Sequence, residues 1–66
     1  MNEWIEILMI MENYPNLYNK DYPFWADHDV IGLNLDWEDV SEIDMYRLNE
    51  LGVFYSDHYD SLIKFV

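Results

Sequence analysis

The chain has no cysteine, which excludes a disulfide framework and any thiolate metal site. It has little positive charge: three Lys or Arg stand against 14 Asp or Glu, for a formal net charge of −11. Affinity for phosphate backbones and for anionic membrane surfaces comes mainly from Lys and Arg, so neither is an expected partner. Two glycines leave no room for a glycine-rich phosphate loop. No apolar run approaches the ~18 residues that a membrane-spanning helix needs. Glu3 and Glu6 stand where a signal peptide would carry its basic residues. The expectation is a soluble, cytoplasmic protein.

What is present argues against disorder. Hydrophobic residues make up 52% of the 66-residue chain and aromatic residues 18%, whereas disordered acidic segments are poor in both. Residues 1–66 are expected to form a single small acidic domain. A domain of this size buries only about 60% of the surface of its unfolded chain. Disulfides, metals or oligomerisation usually support so small a core.

Asn2 followed by Glu3, Trp4, Ile5 and Glu6 predicts a helix start, with Asn2 as N-cap and two acids in the first turn. Ile5, Leu8 and Met9 share one face, Trp4 and Met11 lie beside it, and Ile7 and Ile10 widen the apolar sector. Such breadth fits a central core helix, or a seam between two copies; a buried strand fits less well, given the methionines and glutamates. Tyr14-Pro15 ends the helix. Residues 15–29 hold both prolines and are dense in aromatics, which predicts an ordered loop. Val30 to Leu35 alternates as a strand with Ile31, Leu33 and Leu35 on one face, and Gly32 marks a bulge or a close backbone approach.

Ser41-Glu42-Ile43-Asp44 predicts a capping box with Asp in place of Glu. Met45, Leu48 and Leu51 then recur on one helical face, and Gly52 stands where a helix-ending glycine belongs. Val53–Tyr55 and Leu62–Val66 read as strands around a turn at Ser56–Asp60. The predicted fold is α+β: a short three-stranded antiparallel sheet packed with two helices, in the order α-β-α-β-β.

Charge is uneven along the chain. Asp21, Asp27, Asp29, Asp36, Glu38, Asp39, Glu42 and Asp44 are eight of the 14 acids, and no Lys or Arg interrupts them. Glu42 and Asp44 complement a helix N-terminus; the other six lack that explanation. A solvated face that keeps the domain soluble gives the same count. The functional reading is a surface for a basic partner, with Trp37 among the acids and Tyr22, Trp25 and Tyr59 as flat anchors.

Other chemistries fit poorly. Asp27, Asp29, Gly32 and Glu38 fall at positions 1, 3, 6 and 12 of a calcium loop, but Ile31 occupies position 5 and Pro23 bars the entering helix. His28 and His58 lack helical metal-ligand spacing. Ser56 and Ser61 lie near His58 with nothing to organise a nucleophile. No metal, cofactor or catalytic residue is expected, and the protein is not expected to be an enzyme.

In size, acidity and lack of cysteine the chain resembles the DNA-mimic, anti-defence proteins of bacteriophages and mobile elements. These include anti-CRISPR, anti-restriction and uracil-DNA glycosylase inhibitor proteins. The run Val40-Ser41-Glu42-Ile43-Asp44 through Leu48, Leu51-Gly52-Val53-Phe54-Tyr55 and on to Phe65 is similar to the tail of small phage-encoded proteins of unassigned function. The resemblance implies an inhibitor that blocks the DNA-binding groove of a bacterial defence protein. Its partner would be that basic groove in the host bacterial cytoplasm, with no direct contact to nucleic acid or membrane; the acidic cluster itself, not the resemblance, nominates Asp21, Asp27, Asp29, Asp36, Trp37, Glu38, Asp39, Glu42 and Asp44 as the contacts. Two alternatives stand beside it: a uracil-DNA glycosylase inhibitor, and a structural or regulatory homodimer formed through the first helix.

Overall fold

The helix start expected at Asn2 forms as the sequence requires. Asn2 Oδ1 accepts the Trp4 N–H at 2.9 Å and opens α1 (Glu3–Met11). The computed structural model describes residues 2–66. After α1 come β1 (Phe24–Asp27), β2 (Val30–Leu33), a 3-10 turn (Trp37–Asp39), α2 (Glu42–Glu50), β3 (Phe54–Ser56) and β4 (Ser61–Phe65). The strands form one antiparallel sheet in the order β1-β2-β4-β3. The fold is α+β with two helices. Among the described residues, no helix is long and apolar enough to cross a membrane.

The sheet has four strands, not three, and the order is α-β-β-α-β-β. The extra strand, β1, lies inside the segment predicted to be loop. Only four residues long and preceded by Pro23, it lacks the alternation that announces a strand. It forms because the chain reverses at His28, in the left-handed region at φ 53°, and pairs Trp25 with Gly32 and Ala26 with Ile31.

The N-cap of α2 is built differently from a simple capping box. Ser41 Oγ accepts the Asp44 N–H at 3.2 Å, but the Asp44 carboxylate does not return to the Ser41 N–H. Tyr14 stands between them: its hydroxyl accepts the Ser41 N–H at 3.1 Å and donates to Asp44 Oδ2. One side chain from the end of α1 thereby completes the cap of α2. At the other end, Gly52 at φ 92° lets the Val53 N–H reach the Leu48 carbonyl at 2.9 Å and the Gly52 N–H reach Asn49 at 3.0 Å. These are the two bonds of a Schellman motif.

The core lies between the helices and one face of the sheet: Ile7, Met11, Leu33, Leu35, Val40, Leu48, Leu51, Val53 and Leu62. On α1 the buried positions are Ile7 and Met11, while Ile5 and Met9 of the predicted face remain 55% and 60% exposed. A helix apolar around most of its circumference does not reveal from sequence which side turns inward. On α2, by contrast, Leu48 and Leu51 are buried and Met45 packs against the core as predicted.

The other face of the sheet is covered by its own side chains. Residues paired across antiparallel strands share a face, so Trp25, Val30, Gly32, Ile63, Phe65 and Phe54 all point away from the helices. Val30 and Ile63 are buried there beneath Trp25, Tyr59, Phe54 and Phe65, which form two ring pairs at 5.3 and 5.5 Å. The Trp25 indole lies over Gly32, where a Cβ would stand 1.9 Å from Cε2. The close approach expected at Gly32 is thus made by an indole ring.

Gly32→Ala is expected to destabilise the fold by about 1–3 kcal/mol through overpacking, measured by urea unfolding. Combining it with Trp25→Ala should cost less than the sum of the two single changes. Tyr14→Phe leaves the Ser41 N–H and the Asp44 carboxylate without their shared partner. The expected loss is about 1–2 kcal/mol by the same measurement.

Candidate acidic interaction face

The acids singled out from the sequence divide into groups at opposite ends of the sheet. Asp27 and Asp29 flank the β1–β2 turn, whereas Asp36, Trp37, Glu38 and Asp39 follow the far end of β2. Six residues, Val30 to Leu35, separate Asp29 from Asp36, roughly 20 Å at strand spacing, in a molecule measuring 28 × 24 × 22 Å. Charges that far apart act almost independently at physiological salt. Asp21 belongs with the second group by position. Its loop is held to that end by the Asn19 N–H, which donates to the Asn34 carbonyl at 3.0 Å, while Asn19 Oδ1 accepts the Asp21 N–H.

Two of the predicted acids have structural partners. Asp27 accepts the Tyr59 hydroxyl at 3.1 Å and lies 3.6 Å from the His28 ring nitrogen. Asp44 accepts the Tyr14 hydroxyl. Glu42 is exposed in the first turn of α2, where the helix dipole favours it.

Around the 3-10 turn the fold adds acids that the sequence reading did not include. Tyr55 on β3 packs against Trp37 with ring centroids 4.7 Å apart. Its hydroxyl donates to Asp60 Oδ1 at 2.7 Å. That bond, with partial burial and the charges of Asp60, Asp57 and Glu38, raises the Tyr55 pKa to about 12. Through the Trp37–Tyr55 contact and the Tyr55–Asp60 bond, Glu38, next to Trp37, stands at the same end as Asp57 and Asp60, which come from the β3–β4 turn about twenty residues later. The signal in the sequence was the turn itself, with an acid near each end of Asp57-His58-Tyr59-Asp60. Only the return of that hairpin to Trp37 reveals its relation to Glu38.

Two of the three cations are held elsewhere, while Lys20 stands beside Asp21 in the loop. Arg47 pairs with Glu6 and, at 3.6 Å, with Glu50. Lys64 donates to the Leu51 carbonyl at 2.7 Å and lies 3.6 Å from Glu3. Both cations therefore serve the helical side. Among the described residues, none of Asp36, Glu38, Asp39, Asp57 and Asp60 forms an ion pair with Lys or Arg, and all five are exposed.

A groove of about 440 Å³ between the helices is lined by Glu6, Met9, Ile10, Asn13 and Arg47. Its cation is closed onto its own carboxylates, and its floor is apolar. Among the described residues, no group of three or more His, Asp or Glu side chains is placed to hold a metal ion. Asp27 and Asp29 lie at the opposite end of β2 from Glu38, so the calcium-loop spacing in the sequence does not become a loop in space. Comparison with protein-family models, with curated proteins and with solved structures finds no match to this chain.

The Tyr55 phenol gives the face a spectroscopic probe. A raised folded-state pKa contributes stability in full below the ordinary value of 10, and that contribution is lost as pH rises through about 12. Asp60→Asn suits the left-handed backbone at position 60, φ 51°, and should return the Tyr55 pKa towards 10. NMR titration of the Tyr55 ring carbons checks the shift.

Proposed function

We propose that the protein is a non-catalytic binding module whose acidic face occupies the basic, nucleic-acid-binding groove of a partner protein. In this reading it is a phage-type inhibitor of the DNA-mimic class, acting on a bacterial defence protein such as a CRISPR or restriction effector. The observation that carries the proposal is the meeting of the 3-10 turn, which carries Glu38, with the β3–β4 turn, which carries Asp57 and Asp60, through the Trp37–Tyr55 ring pair and the Tyr55–Asp60 hydrogen bond. Asp36 and Asp39 adjoin it in sequence, and no Lys or Arg pairs with any of these acids among the described residues.

Electrostatics explains how such a face would work. Five unpaired carboxylates on a small scaffold generate a local potential that draws a cationic groove and accelerates association. Duplex DNA presents one charge per ~1.7 Å of helix axis, and closely spaced carboxylates compete for the same Lys and Arg side chains. The Trp37 and Tyr55 rings add flat surfaces over which an arginine of the groove can stack. Inhibition would be competitive with DNA and would weaken as salt rises.

The test is affinity capture from a bacterial lysate at low salt on the immobilised protein, followed by elution with duplex DNA. The expected outcome is retention of a DNA-binding protein that duplex DNA displaces. The variant Glu38→Gln/Asp57→Asn/Asp60→Asn should lose that retention, and Asp29→Asn, at the opposite end of the sheet, should keep it. Retention that survives the triple change, or that DNA does not displace, would overturn the proposal.

A further inference from the structure

An antiparallel sheet with helices on one side ordinarily turns polar side chains outward on the other. This one does not. The residues pointing away from the helices include Trp25, Val30, Ile63, Phe54 and Phe65, with Phe65 still 61% exposed and Phe54 38%. In a chain of net charge −11, the only charged side chain among the outward strand positions is Asp27, and its carboxylate accepts the Tyr59 hydroxyl.

We infer that a second copy of this chain covers the outward face of the sheet, forming a two-fold dimer by sheet-on-sheet packing. Charge distribution selects this occupant. Two molecules of net charge −11 repel, so they can meet only where acids are few, and the outward sheet face is such a place. A basic partner would find almost no carboxylate there to pair with. The helical side also exposes apolar residues, Ile5, Met9, Ile43 and Tyr46, but they are interspersed with Glu6, Glu12, Glu42 and Glu50. Self-association there would bring like charges together.

Size agrees. An ordinary interface covers about 800 Å² on each partner, less than a fifth of the 4527 Å² accessible surface, or about one face of the molecule. Aligned sheets pack about 10 Å apart with interdigitating side chains, and the rings of Trp25, Phe54 and Phe65 can fill that space. A two-fold axis makes the contact self-complementary. Dimerisation would also supply the support that so small a chain without disulfides needs.

Sedimentation equilibrium of the full chain, from micromolar to millimolar concentration, tests the inference. A monomer–dimer equilibrium is expected that strengthens roughly tenfold between low and high salt, as screening relieves repulsion between the copies. Phe65→Glu should weaken the dimer roughly thirtyfold or more, with near-UV circular dichroism confirming the fold. Phe54→Glu, on the same outward face, serves as a second variant should that fold change. Met9→Glu should leave the dimer intact. A monomer throughout, or a dimer broken by Met9→Glu but not by Phe65→Glu or Phe54→Glu, overturns the inference. Binding to a basic groove weakens with salt whereas self-association strengthens, so failure of this inference is distinguishable from failure of the proposed function.

Discussion

The constraint on which the rest of the fold depends is that the central strands β2 and β4 are apolar on both faces, while two nine-residue helices can cover only one. Leu33 and Leu62 turn towards the helices; Val30 and Ile63 turn away and are nevertheless buried. Cover for the second face comes from the aromatic side chains of the sheet and its turns. Trp25 can lie flat only because position 32 has no side chain. Gly32 and β1 are therefore one feature: the strand carries the indole, and the glycine makes room for it.

That arrangement also organises the charge. With both faces of the sheet given largely to apolar contacts, the carboxylates other than Asp27 are left to turns, helix ends and helix exteriors. The β3–β4 turn and the 3-10 turn meet at Trp37 and Tyr55 and concentrate acids at one end, while Arg47 and Lys64 bind the helices together on the other side. Surface ion pairs of this kind contribute little stability. Their larger consequence is spatial, because they keep the chain's paired cations away from the acidic end.

Much of the fold was legible in the sequence wherever a local rule had a single solution. Asn2, Ser41 and Gly52 marked helix ends, the Leu48 face marked the buried side of α2, and the hairpin around Ser56–Asp60 followed from its turn residues. Elsewhere the deciding contacts are distant in sequence. β1 is specified by Trp25 on Gly32 rather than by alternation. The inward side of α1 depends on where the sheet lies, so Ile7 and Met11 were indistinguishable from Ile5 and Met9. The acidic end was legible only in part: Asp36, Glu38 and Asp39 stand together in the chain, but Asp57 and Asp60 join them through the fold, and Asp27 and Asp29 leave by the same route.

On the proposed function, one end of this molecule, and not its acidity at large, would form the interaction surface. An NMR titration of the isotopically labelled protein with a hexa-arginine peptide tests it most directly. Amide shifts are expected to concentrate in residues 36–39 and 54–61, with that of Asp29 little changed. Shifts of equal size at both ends of the sheet, following acidity alone, would contradict it.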